Sequence, residues 1–211
     1  MLQFITNEKA LATPAQQILD AIEGGCRWVQ IRLKHASDED IRKLFHDIKD
    51  KAKETLTTVI INDRVDLALS LAEEGVAGVH LGKEDMPVSK ARMILGAAAV
   101  IGVTANTYSD IAAVSNLDID YFGIGPYAMT STKEKLAPVL GLEGNRKICF
   151  EMEENHILIP HVAVGGITVE DVLPLLEAGV NGIAVSGAIA HADDIVKATR
   201  RFMDLLPKTE E

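Results

Sequence analysis

Short runs of β-branched and aliphatic residues recur along the chain. They occupy residues 2–6, 28–33, 57–62, 78–81, 100–104, 121–125, 161–165 and 182–186. Several are apolar without clean alternation. A strand with one wet face alternates, whereas a strand covered on both faces, as in a parallel sheet, need not. Between the runs the apolar period lengthens. Ile41, Leu44, Phe45, Ile48 and Ala52 fall at i, i+3, i+4, i+7 and i+11, one stripe of a helix. Ser37 and Asp40 precede that stripe in capping-box spacing, with Asp in place of the usual Glu. Thr13-Pro14 opens another helix, because proline at the first helical position loses no hydrogen bond. Pro87 opens a helix running to Leu95. Residues 169–178 read as helical, with Gly179 as the C-cap. The last helix follows Ile189, and the tail from Pro207 is expected to fray.

Eight strands alternating with about eight helices predict a single (β/α)8 barrel domain over residues 1–211. The chain is short for that fold, so its loops must be tight. An open doubly wound sheet is the runner-up, weakened by the absence of a G-x-G-x-x-G turn after the first strand.

Composition narrows the function more than the fold. Lys and Arg number 21 against 31 Asp and Glu, a net charge of −10. An acidic chain is a poor binder of duplex nucleic acid, which needs a basic face, but a small anion needs only a local cluster of cations. Cys26 and Cys149 lie far apart in no metal-binding spacing. They read as buried free thiols in a reducing compartment. No apolar run approaches ~18 residues and no leader pattern is visible, so a cytoplasmic, non-membrane protein is expected. A homodimer is also an expectation, with no face assigned to it.

In a barrel the chemistry sits at the C-terminal ends of the strands. The second strand delivers Gln30, Arg32 and Lys34 at alternate positions, hence on one face. The third ends at Asn62-Asp63, and the fourth leads to Asp85. Asp63 reads either as a helix cap or as a ligand. Together Asp63 and Asp85 have the chemistry to share one Mg²⁺, whose repertoire is few carboxylates plus water and phosphate oxygens. His80, inside the fourth strand, reads as a satisfied core histidine. Thr104, Asn106 and Thr107 suit either a neutral heterocycle or helix caps. The sixth strand runs into a long polar loop with Thr130, Ser131, Thr132 and Lys133, and residues 127–136 are a candidate lid. Glycines at Gly165-Gly166 and Gly187, after strands 7 and 8, stand where many barrels bind phosphate through backbone N–H groups. The residues thus point to two anion sites in one pocket, and to joining or splitting two phosphorylated molecules.

In order along the chain, Gln30-Ile31-Arg32-Leu33-Lys34, Ile61-Asn62-Asp63-Arg64, Gly78-Val79-His80-Leu81-Gly82 and Glu84-Asp85-Met86-Pro87 are followed by Gly123-Ile124-Gly125-Pro126, Thr130-Ser131-Thr132-Lys133 and Gly165-Gly166-Ile167. This series resembles the thiamine-phosphate synthase family over residues 30–192. The resemblance implies condensation of a hydroxymethylpyrimidine diphosphate with a thiazole phosphate, releasing pyrophosphate. It implies that Gln30, Arg32, Lys34 and Asn62 bind the pyrimidine diphosphate, with Thr104 on the pyrimidine. It implies Mg²⁺ on Asp63 and Asp85. Thr130, Ser131, Thr132, Gly166, Ser186 and Gly187 would contact the thiazole phosphate, and Lys133 would bridge to the diphosphate. Arg32, Lys34 and Lys133 would then be the catalytic cations. The sequence departs from the family pattern at several positions. Lys83 stands where the family usually has Gln. Thr104 replaces a common Ser, Asn106 sits near a common His, Tyr127-Ala128-Met129 replaces a bulkier stretch, and Ser186-Gly187-Ala188 replaces a Val-Ser-Ala pattern.

Three rival functions remain open at this level. A thiazole tautomerase on the same barrel would keep the phosphate cup without the metal site. A different phosphate-binding barrel isomerase or lyase would want an acid/base pair at its strand ends. A non-catalytic thiamine-phosphate sensor or carrier would have no use for leaving-group machinery.

Overall fold

The computed structural model describes residues 1–129 and 138–207. Eight parallel strands close into a barrel in sequence order. They are β1 (Leu2–Ile5), β2 (Trp28–Ile31), β3 (Thr58–Asn62), β4 (Val76–Leu81), β5 (Val100–Ala105), β6 (Tyr121–Ile124), β7 (His161–Val164) and β8 (Gly182–Val185). Phe4 pairs with Val29 of β2 on one side and Val185 of β8 on the other, which seals the ring. The helices are α1 (Pro14–Glu23), α2 (Asp38–Glu54), α3 (Val65–Leu71), α4 (Val88–Leu95), α5 (Tyr108–Val114), α6 (Gly141–Glu154), α7 (Val172–Glu177), α8 (Gly187–Ala190) and α9 (Ile195–Met203). The open-sheet alternative is therefore excluded.

Strand alternation sorts the apolar side chains into two clusters. Phe4, Val29, Ile31, Ile61, Val79, Ile101, Phe122 and Ile183 face outward against the helices. Ile5, Ile60, Tyr121, Val162 and Ala184 fill the barrel's interior, with Trp28, Val100 and Val164 packed against them. Both strand faces are therefore apolar, which is why the runs lack a clean two-residue period. The predicted stripe on α2 is buried over its whole length.

The predicted caps form as read. Ser37 Oγ accepts from the Asp40 N–H (3.1 Å), and Asp40 accepts in return from the Ser37 N–H (3.1 Å). Thr13 accepts from Gln16 N–H ahead of Pro14. Two helices differ from expectation. The segment 169–178 starts as a 3₁₀ turn (Val169–Asp171) and ends on Ala178, with Gly179 just beyond at φ +105°. The final helical region is two pieces, the single turn α8 and then α9, capped by Asp194. Asp194 accepts from Lys197 N–H (2.8 Å), a start signal strong enough to open a new helix. Both cysteines are free, but only Cys26 is buried. Cys149 is half-buried, with Sγ 3.4 Å from His161 Nε2. Burial pushes both thiols up to about 11, so neither is a thiolate at neutral pH. Among the described residues no helix is long and apolar enough to cross a membrane. The expected fraying lies outside the described residues from position 208 on.

Candidate active site

The C-terminal mouth of the barrel opens into a cavity of about 750 Å³. Gln30, Arg32, Lys34, Asn62, Asp63, Asp85, Thr104, Gly166, Ser186 and Gly187 all line it. Thr130, Ser131, Thr132 and Lys133, with most of the candidate lid, lie outside the described residues.

The β2 rim carries the cations. Gln30 and Arg32 are buried and Lys34 is exposed. The extended backbone turns all three the same way. Their backbone is clamped from both neighbouring strands. Thr6, just past β1, accepts from Arg32 N–H (2.8 Å) and donates to its carbonyl (3.1 Å). Glu8 accepts from the N–H groups of Lys34 (3.1 Å) and His35 (3.4 Å). From the β3 side, Arg64 donates to the carbonyls of Leu33 and Ala36 and pairs with Asp38. The sequence reading assigned no role to Thr6, Glu8 or Arg64. Their work is on backbone atoms, and side-chain identity does not announce such contacts.

Asp63 is not a helix cap. The residue ahead of α3 is Arg64, and no side chain caps that helix. Asp63 has φ +66°, a left-handed conformation that Asp tolerates better than most side chains. Its carboxyl and that of Asp85 line the same cavity wall and act on each other. Burial first, then the Asp85 contact and charge, hold Asp63 well above the usual carboxylate range; Lys34 and Arg32 oppose this from further away. Asp85 is oriented by the Gly82 N–H, which donates to Oδ2 (2.6 Å). Among the described residues no group of three or more His, Cys, Asp or Glu side chains is arranged for a metal. A pair of carboxylates pressed together is nevertheless the donor set magnesium uses, with water and phosphate oxygens completing its shell. Lys83 lines the same cavity and forms an ion pair with Asp110 of α5 (2.5 Å).

Across the mouth, glycine turns stand among apolar and small polar side chains. Gly166 has φ +68°, and a Cβ there would lie 2.7 Å from the Met129 carbonyl oxygen. The segment after β6 is stitched to β7 by Tyr127 N–H to Val164 O (2.9 Å) and Ala128 N–H to Gly165 O (2.8 Å). Tyr127 also donates to Asp171 (2.7 Å). Ser186 precedes α8, and Asn7 donates to its hydroxyl (3.3 Å).

The floor is a chain of polar side chains across the barrel. Gln30 Nε2 donates to Gln3 Oε1 (3.1 Å), and Gln3 Nε2 donates to the Tyr121 hydroxyl (3.0 Å). That hydroxyl lies 2.8 Å from His80 Nδ1, and His80 Nε2 lies 2.9 Å from Thr104 Oγ1. His80 is thus hydrogen-bonded at both nitrogens, as expected of a satisfied histidine, yet it lines the cavity rather than sitting in an apolar core. Asn106 and Thr107 serve locally. Asn106 donates to the Gly125 carbonyl, and Thr107 forms a capping box with Asp110.

A closed (β/α)8 barrel with cations, a carboxylate pair and glycine turns gathered around one mouth is the class of protein these features define. The thiamine monophosphate synthase family model matches residues 2–189. Curated proteins named thiamine-phosphate synthase from Bacteroides thetaiotaomicron and Bacteroides fragilis are each 46% identical over 204 residues. Those alignments cover 97% of this chain and 96% and 98% of the two relatives. A solved thiamine phosphate pyrophosphorylase from Pyrococcus furiosus superposes with a TM-score of 0.84 at 31% identity, covering 97% of this chain and 94% of that one. The chain belongs to the thiamine monophosphate synthase family. That membership favours the synthase over the tautomerase, the unrelated barrel enzyme and the sensor.

Proposed function

We propose that this chain joins 4-amino-5-hydroxymethyl-2-methylpyrimidine diphosphate to 4-methyl-5-(2-hydroxyethyl)thiazole phosphate, giving thiamine monophosphate and pyrophosphate. The observation that carries the reading is the pairing of two unlike anion sites across one cavity. Arg32, Lys34, Asn62 and the Asp63–Asp85 pair line one side of it; Gly166, Ser186 and Gly187 line the other. The diphosphate belongs on the charged side and the thiazole phosphate on the glycine side. Family membership extends the same reading to Thr130, Ser131 and Thr132 on the thiazole phosphate and to Lys133 on the diphosphate.

The bond that breaks joins the pyrimidine methylene carbon to the bridging oxygen of the diphosphate. Its electrons leave with pyrophosphate, and the thiazole nitrogen lone pair then forms the new carbon–nitrogen bond. Negative charge grows on the leaving group, so its stabilisation sets the barrier. Arg32 holds a delocalised charge in a buried position, where it is weakly screened. Lys34 and Lys133 would supply further positive charge. Asp63 and Asp85 would hold Mg²⁺, which when bound neutralises diphosphate oxygens. The thiazole nitrogen carries no proton to remove, so no general base is required beside it. This agrees with His80 being hydrogen-bonded at both nitrogens. Holding both substrates in one cavity supplies proximity.

The test is one reaction mixture of protein, Mg²⁺ and both substrates, assayed for thiamine monophosphate beside EDTA and single-substrate controls. Product that requires both substrates and metal is expected. Intact binding of either substrate without product would overturn the proposal.

A further inference from the structure

The hydrogen-bonded chain on the cavity floor has a direction, and the direction has consequences at both ends. Gln3 donates to the Tyr121 oxygen through Nε2 (3.0 Å). A phenol has one proton, and its remaining neighbour in the chain is His80 Nδ1 at 2.8 Å. Tyr121 therefore donates to Nδ1. Burial raises the Tyr121 phenol above its usual value, so that proton stays in place at neutral pH. His80 is then neutral with its proton on Nε2, which donates to Thr104 Oγ1 at 2.9 Å. The Thr104 hydroxyl proton is left to point elsewhere, and Thr104 lines the cavity. At the other end Gln30 spends an Nε2 proton on Gln3 (3.1 Å), leaving its carbonyl oxygen as an acceptor at the cavity wall.

We propose that the Gln3–Tyr121–His80 chain is a positioning relay that presents Thr104 as a donor and Gln30 as an acceptor, and so selects a 4-aminopyrimidine over its 4-oxo counterpart. A 4-aminopyrimidine offers an acceptor ring nitrogen beside an N–H donor. The 4-oxo ring offers the reverse, an N–H beside a carbonyl, in nearly the same shape. Only hydrogen-bond polarity separates them, and a pocket built on polarity rejects the mismatch because buried groups are left facing like groups. The barrel makes room for this chain at some cost. A Cβ on Gly102 would lie 2.1 Å from the Tyr121 ring, and a Cβ on Gly123 would lie 3.0 Å from His80 Cε1. Trp28 packs edge-on against Tyr121 at 4.6 Å between centroids, holding the ring in register.

The inference rests on the proposed function for the identity of the ring, but not for the order of the protons. Two measurements separate these. In the free wild-type protein, ¹⁵N NMR of the imidazoles, with the His80 signals identified by their loss in His80→Gln, should show a neutral ring protonated on Nε2. A proton on Nδ1, or a charged ring, overturns the relay without reference to any substrate. Next, equilibrium binding of the 4-amino and 4-oxo pyrimidine diphosphates is compared. Binding is used because the amino group also affects the chemistry electronically. Wild type should prefer the amino compound by at least ~10²-fold. Tyr121→Phe, checked for folding by circular dichroism, keeps the ring and loses the donor, so the preference should fall below about 10-fold. A folded Tyr121→Phe protein with the wild-type preference overturns the relay and leaves the proposed function standing. Wild-type protein that forms no thiamine monophosphate defeats the proposed function, and the ring assignment with it.

Discussion

On the β2–β4 side of the mouth the cavity wall is made of charged and amide side chains: Gln30, Arg32, Lys34, Asn62, Asp63 and Asp85. On the β6–β8 side the described lining is glycine and apolar residues with Thr168, Ser186 and His191, and Gly165, Gly166 and Gly187 stand at the turns. The first side gathers two cations and two carboxylates, and the backbone that carries the cations is clamped from outside by Thr6, Glu8 and Arg64. The second side is shaped by backbone geometry, with Gly166 in a conformation and a space that exclude a side chain. The contrast follows the chemistry proposed for each. A leaving diphosphate gains charge in the transition state, and only groups that respond to that gain accelerate the step. A phosphate that keeps its charge throughout needs placement alone, and fixed N–H dipoles supply it.

The largest expected effect lies on the charged side. Asp63→Asn keeps a side chain that tolerates the left-handed backbone at φ +66°, so the fold should be unharmed. It removes half of the carboxylate pair. Metal stabilisation of developing charge contributes several kcal/mol, so turnover should fall by at least ~10²-fold. Mg²⁺ titration of activity checks this, with circular dichroism as the control on folding. Near-normal turnover with the usual Mg²⁺ dependence would remove Asp63 from the metal site and erase the contrast between the two sides.

Two alanine substitutions divide the glycine side in turn. At Gly166 a Cβ meets the Met129 carbonyl oxygen at 2.7 Å and the backbone is at φ +68°. Gly166→Ala should therefore cost both stability, by about 1–2 kcal/mol, and thiazole-phosphate affinity. For a chain of this size that is a fall in Tm of roughly 3–8 °C. At Gly187 the nearest atom to a new Cβ is His191 Cδ2, 3.6 Å away, and φ is ordinary. The protein itself leaves room for a side chain there. Gly187→Ala should leave Tm unchanged and weaken the thiazole phosphate by about 10-fold, the loss of one charge-assisted hydrogen bond. Calorimetry of binding beside thermal melts reads both quantities. Unchanged affinity in Gly187→Ala would place the phosphate elsewhere.

These two sides were unequally legible in the sequence. Charged residues at alternate positions on one strand are visible as letters, and Gln30, Arg32 and Lys34 needed only the two-residue period to be set on one face. The closed barrel was legible for a similar reason, since strands apolar on both faces need two covers. Glycine turns were legible as absences, but their different causes were not. Gly166 is required by its own backbone and Gly187 is not, a distinction that needs neighbouring atoms. The split between α8 and α9 was missed because the capping signal at Asp194 lies inside a segment that reads as one helix. His80 was correctly read as satisfied, but its partners, Tyr121 and Thr104, lie 41 and 24 residues away along the chain. No local pattern could have named them. Asp63 is the converse case. Its residue type fits a cap and a ligand equally, and the left-handed backbone with Asp85 alongside removes the cap.

The smallest expected effect concerns Lys83, which with Lys34 makes two lysines on the cavity wall among the described residues. A cation beside Asp63 and Asp85 would compete with Mg²⁺, and Lys83→Gln, which restores the residue usual in the family, would then raise metal affinity. The structure directs its ammonium to Asp110 at 2.5 Å, on a side chain 43% exposed. Asp110 also accepts from the N–H groups of Asn106 and Thr107, both at 2.9 Å, so it keeps its partners when Lys83 is lost. An exposed ion pair contributes ~0–1 kcal/mol. Lys83→Gln should accordingly leave the Mg²⁺ concentration for half-maximal rate within about threefold of wild type, with at most a small fall in Tm. A tenfold gain in apparent Mg²⁺ affinity would show that Lys83 swings toward the carboxylates when substrates are absent. The charged side would then carry its own competing cation.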